Sequence, residues 1–129
     1  EDCLLAHASI RSSVLSARDA ISDRIEFLTE FLGGEYEVQG AYPAWEYRRD
    51  SALRDLMTGV WKELYGTELA VVAIHAGLEC GLFHEKMDGL DCVSLGPDIF
   101  DIHTSEERLS ISSVERVWKY LLEVLRRIA

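Results

Sequence analysis

Three stretches of the chain repeat apolar residues every three or four positions, the spacing that lines one face of a helix. The first runs Val14, Ala17, Ile21, Ile25, Leu28 and Leu32, and Gly33-Gly34 follows it, as suits a helix that ends on a left-handed residue. Ser16 and Asp19 have capping-box spacing near its start. The second places Leu53, Leu56, Met57, Val60, Trp61 and Leu64 on one side, with Asp50 or Ser51 to start it and Gly66 to stop it. The third carries Val114, Val117, Trp118, Leu121, Leu125 and Ile128; Ser112 and Glu115 form its capping box, and Arg126 and Arg127 suit its negative C-terminal end. A short fourth helix is predicted near Glu79–Lys86.

Between these lie runs of a different kind. "CLLAHASI" at 3–10 is short, apolar and bounded by polar residues, which predicts a strand. "EYEVQGAYPAWEY" at 35–47 mixes aromatic and β-branched residues with Gly40 and Pro43, which predicts a bent or edge strand. "LAVVAIH" at 69–75 and "CVSLG" at 92–96 are continuously apolar, as in strands of a parallel sheet covered on both faces. The predicted order is β-α-β-α-β-(α)-β-α, an α/β fold. The polar bent strand of the first half and the buried strands of the second belong on different sheets, a β-α-β half and a parallel-sheet half.

Composition narrows the function. A chain of 129 residues with 48% hydrophobic content holds one ordinary core, or parts of two. Its net charge of −10 argues against a nucleic-acid partner, which needs a basic surface to neutralise phosphates. No apolar run reaches membrane-spanning length and no secretory leader is seen, so a soluble, cytoplasmic protein is expected. Cys3, Cys80 and Cys92 are odd in number and lack C-x-x-C pairing, so buried reduced thiols are expected.

Chemistry concentrates in the loops after the buried strands, where parallel sheets bind their ligands. On this layout His75, Glu79, Asp98, Asp101 and His103 collect at one sheet edge, and imidazole with carboxylate is a donor set that zinc and manganese accept. The stretch "GPDIFDIHTSEERLSI" at 96–111 is the most pointed case, with His103 among Asp98, Asp101, Glu106 and Glu107. Two readings compete there: a metal or acid/base site, and a solvated acidic loop around an ordinary histidine. His7 and His84 read as ordinary surface or hydrogen-bonded histidines. A Cys80–His75 nucleophile pair lacks an orienting third group. There is no H-E-x-x-H and no G-x-S-x-G motif.

The blocks "YPAWEYRRDSALRDLM", "IHAGLECGLF" and "GLDCVSLGPDIFDIHTSEERLSISSVERVWKYLLEVL" closely resemble the C-terminal part of bacterial aminoacyl-histidine dipeptidases, also called Xaa-His or cytosol non-specific dipeptidases. These are relatives of the di-zinc carboxypeptidase G, aminoacylase and carnosinase group. The resemblance implies residues 1–47 from the second half of a lid, or dimerisation-type, domain and 48–129 from the end of a catalytic domain. It implies two metals per intact active site, Zn²⁺ or alternatively Mn²⁺ or Co²⁺, and a homodimer that hydrolyses Xaa-His and other dipeptides with metal-activated water. His103 matches the last metal ligand, Arg11 of "ASIRSS" the arginine that grips the dipeptide's carboxylate, and Gly77 of "HAGLE" the glycine of a substrate loop bordered by His75 and Glu79. Asp101 takes a supporting place beside His103. The remaining ligands and the glutamate general base lie upstream in the family and match nothing here, which implies a chain inactive by itself. The alternative is a non-catalytic α/β module that binds a small molecule or partner, or dimerises.

Overall fold

Tyr120 sits at the centre of the largest packed cluster, its ring fully buried against Met57, Val60 and Val124. The computed structural model describes residues 3–74 and 79–128. Its elements are helices α1 (Leu15–Phe31), α2 (Ala52–Tyr65) and α3 (Glu79–Lys86), strands β1 (Ile99–Phe100) and β2 (Arg108–Leu109), and helix α4 (Ile111–Ile128). They fall into two compact units, Glu1–Arg49 with Val72–Leu90, and Asp50–Val71 with Asp91–Ala129.

In the second unit α2 packs on α4, and Leu53, Leu56, Trp61, Tyr65, Leu69 and Val93 extend the cluster at its margin. Trp61 meets Tyr120 edge-on at 5.2 Å, the geometry the ring quadrupoles favour. Tyr120 and Tyr65 anchor their hydroxyls on backbone: Tyr120 donates to the Met57 carbonyl at 2.8 Å and Tyr65 to the Arg116 carbonyl at 2.7 Å. Burial pushes the Tyr120 phenol above its ordinary pKa, because ionisation would strand a charge in the core.

Helix α2 begins and ends where its sequence predicts. The Ser51 hydroxyl accepts the Arg54 amide at 3.1 Å and Gly66 closes the helix at φ 69°. An anchor not anticipated is Asp91, whose carboxylate takes the Ser51 hydroxyl at 2.7 Å and the Leu53 amide at 3.1 Å. It brings negative charge to the positive end of the helix, from 38 residues away along the chain.

Helix α4 differs from expectation at both its start and its face. Ser110, and not Ser112, caps it, accepting the Ser113 amide on its hydroxyl and the Val114 amide on its carbonyl. Glu115 instead pairs with Lys119 one turn on. The core side is Ser113, Tyr120 and Val124, whereas Val114, Trp118, Leu125 and Ile128 of the predicted stripe are exposed. The helix has one broad apolar face, of which the core takes only the edge that carries Tyr120 and Val124, and periodicity alone could not choose that edge. At its far end Arg127 spans Glu123 and Glu63, lowering the pKa of both carboxyls and tying α4 to α2.

In the first unit α1 ends in a Schellman arrangement, with the Gly33 amide on the Glu30 carbonyl and the Gly34 amide on the Thr29 carbonyl, both at 2.9 Å. Gly33 supplies the left-handed residue at φ 79°. The Ser16–Asp19 box does not form: the helix starts after Val14 without a side-chain cap, and Asp19 pairs with Arg18. Polar tethers hold residues 35–47 to the helix. Arg18 donates to the Tyr42 carbonyl, Glu46 accepts the Leu15 amide, and the Ser22 and Tyr36 hydroxyls meet at 2.7 Å. Gly81 of α3 lies so close to Pro43 that an added Cβ would come within 3.0 Å of its carbonyl oxygen. None of the residues of α1 is buried, the predicted stripe included.

The predicted strands at 3–10, 35–47, 69–75 and 92–96 do not form among the described residues, where the order is α-α-α-β-β-α with one two-stranded antiparallel sheet. A strand needs a second backbone to take its amides and carbonyls, and these runs meet none among the described residues. Leu4, Leu5, Val71 and Val72 are accordingly exposed. Of the thiols, Cys3 is exposed and Cys80 and Cys92 are half-buried, and none of the three is in a disulfide.

Candidate functional site

The stretch 96–111 folds as a hairpin whose tip carries His103. Ile99 faces Leu109 and Phe100 faces Arg108 in an antiparallel pair. Its base is clamped to α4: the Ser110 amide donates to the Asp98 carbonyl at 3.0 Å, and the Asp98 amide donates to the hydroxyl of buried Ser113 at 2.9 Å. Arg116 adds an ion pair to the Asp98 carboxylate at 3.1 Å.

The tip is closed by its own polar side chains. The Arg108 guanidinium pairs with the Asp101 carboxylate while lying 5.4 Å from the centre of the Phe100 ring. Thr104 donates through both amide and hydroxyl to the Asp101 carbonyl, and its hydroxyl oxygen accepts the Glu106 amide. Glu107 places Oε2 2.8 Å from the His103 amide. Asp101 and His103 are the two non-glycine residues with positive φ among those described, at 53° and 66°. Aspartate and histidine tolerate that region better than most side chains, but it is unfavourable without support.

Three of the four acids around His103 therefore have specific tasks. Asp98 and Asp101 are engaged by arginines, and Glu107 holds a backbone amide. The imidazole itself is exposed and takes no hydrogen bond among the described residues. Of the expected edge cluster of His75, Glu79, Asp98, Asp101 and His103, the last three belong to the hairpin stretch; among the described residues no three histidine, cysteine or acidic side chains are placed to share a metal. His75 and Gly77, with the Cys80–His75 pair, lie outside the described residues. Arg11 is exposed ahead of α1 and Glu79 opens α3, both in the first unit, whereas Asp101 and His103 share the hairpin in the second.

Sequence reasoning missed Ser113, Arg116 and Asp91 as anchors. Only an i to i+15 relation links Ser113 to Asp98, and no periodic pattern marks it.

No protein-family model matches the chain. By sequence it is 35% identical over 122 residues, 95% of its length, to the cytosol non-specific dipeptidase of Escherichia coli strain K12. By structure it is similar to the crystal structure of aminoacylhistidine dipeptidase from Vibrio alginolyticus, with a TM-score of 0.75 and 33% identity over 90% of the chain. The chain spans about a quarter of either relative, 25% of the first and 24% of the second.

Proposed function

We propose, for a chain that corresponds by sequence and structure to a segment of the aminoacyl-histidine dipeptidases, that it is the C-terminal part of a metal-dependent dipeptidase and supplies one metal ligand and one substrate contact. The observation that carries this reading is the sequence match along nearly the whole chain. Residues 1–47 would be lid and 48–129 catalytic domain. The apolar runs would complete the β-α-β-α-β-(α)-β-α order by pairing with strands of the rest of the enzyme.

His103 suits a ligand's place by its donor chemistry: an exposed imidazole on a braced loop, with no hydrogen bond to the ring among the described residues. Metals bound there, two zinc ions or alternatively manganese or cobalt, would supply a polarised carbonyl and an acidified water. The other ligands and the general base would come from the rest of the enzyme. Arg11 would hold the dipeptide's terminal carboxylate, its planar fork matching two oxygens at once. That grip selects short substrates, because a longer peptide puts its carboxylate elsewhere. Gly77 would let substrate approach the backbone, with His75 and Glu79 bordering it and Asp101 bracing the His103 loop through Arg108. A cytoplasmic homodimer is the assembly we propose for the intact enzyme.

The test is Ala-His hydrolysis by the intact enzyme that carries this segment. His103→Ala is expected to lose more than the roughly 10–100-fold that substitutions around a metal ligand cost. Arg11→Ala is expected to raise KM for dipeptide, and Arg11→Lys to restore little of it, because an ammonium cannot donate in a fork. Full turnover in His103→Ala sinks the assignment.

A further inference from the structure

We propose that Glu107 is a positioning residue for His103, holding its backbone in the left-handed conformation from which the imidazole is presented; the proposal rests on the reading of His103 as a metal ligand. The direction in which a Cα–Cβ bond leaves the chain is set by φ and ψ, so a residue that moves from positive to negative φ re-aims its whole side chain. For His103, at φ 66°, the positive value is not its intrinsic preference.

Among the described residues, what meets the His103 amide is Glu107 Oε2, at 2.8 Å. A carboxylate accepting a backbone N–H is a charge-assisted bond, stronger than one between neutral groups. The other contacts of the tip fasten its neighbours. Thr104 and Arg108 hold Asp101, and the Glu107 amide itself donates to the Thr104 carbonyl at 3.2 Å. Glu107 is thus held at its backbone while its side chain reaches back four residues to the histidine. Its contribution is separate from stability, since the tip is exposed and away from the cluster of Met57, Val60, Tyr120 and Val124.

The experiment uses the 129-residue chain, isotope-labelled, with Glu107→Ala, Glu107→Gln and His103→Ala variants. Two signals report the backbone: the coupling between the His103 Hα and the preceding carbonyl carbon, which is large only for positive φ, and exchange of the His103 amide. A third is the Zn²⁺ affinity of the intact enzyme carrying the same substitutions, where the other ligands that the proposed function requires are present. In Glu107→Ala the large coupling is expected to vanish, the amide to exchange faster, and the Zn²⁺ affinity of the intact enzyme to fall about tenfold. The thermal unfolding curve stays in place. Glu107→Gln, whose amide oxygen still accepts the N–H, is expected to recover most of the coupling and affinity.

Retention of the positive-φ coupling and of wild-type affinity in Glu107→Ala overturns the proposal, as does equal loss in Glu107→Gln. If His103→Ala leaves Zn²⁺ binding unchanged, the ligand reading fails. The coupling and exchange measurements then decide by themselves whether Glu107 sets the His103 backbone.

Discussion

The second unit joins two regions built on opposite principles. The α2–α4 pair is held by burial of Met57, Val60, Tyr120 and Val124, whereas both strands of the hairpin are exposed and its shape depends on amides, hydroxyls and arginine–carboxylate pairs. Burial contributes much free energy with little directional demand, and polar contacts the reverse. A chain can therefore place a histidine accurately on a loop that adds little to stability. Loops that bind ligands are drawn from such parts of a structure.

The contrast is open to test, most strongly at the core. Met57→Ala is expected to destabilise the second unit by about 2–5 kcal/mol, read by thermal or urea unfolding, since it empties space between two helices. A loss below that range would mean that the pair does not depend on this cluster. Asp91→Ala removes the acceptor for the Ser51 hydroxyl and the Leu53 amide, and the same measurement should show a loss of about 1–2 kcal/mol.

Smaller effects follow pH. The Tyr120 phenol has a folded pKa above its ordinary 10.0, so its contribution is complete below pH 10 and is lost as pH rises through the folded value. Unfolding curves above pH 10 should therefore fall for the wild type, and Tyr120→Phe should remove that part of the decline. Glu63 and Glu123 have folded pKa values below the ordinary 4.5, through their hydrogen bonds to Arg127. Their contribution is present above 4.5 and lost as pH falls through the folded values, and Arg127→Ala should flatten that limb. The smallest change belongs to the hairpin. Arg108→Ala breaks an exposed ion pair and should alter unfolding by less than about 1 kcal/mol while loosening residues 101–107 in amide exchange. A larger cost would erase the distinction between the two regions.

What could be read without coordinates follows the same division. Helix α2 was legible to its ends, because Ser51, Gly66 and an apolar stripe are all local signals that agree. The C-terminus of α1 was legible for the same reason, in Gly33 and Gly34. The start of α4 was misread because Ser110 and Ser112 both suit a cap, and only the hairpin that ends at Leu109 selects Ser110. Its buried face was misread because Tyr120 looks like a half-polar surface residue until its hydroxyl finds the Met57 carbonyl.

The order of residues by itself determined where helices form, where glycines end them, and that one histidine lies among acids on a loop, since these rest on contacts within a few positions. Tertiary structure decided which apolar faces are covered, that the predicted strands find no partner among the described residues, and that Asp98, Asp101 and Glu107 near His103 already hold an arginine or an amide. Periodicity says that a face wants a neighbour. Which neighbour it gets depends on contacts between residues far apart in the chain, where no short-range pattern reaches.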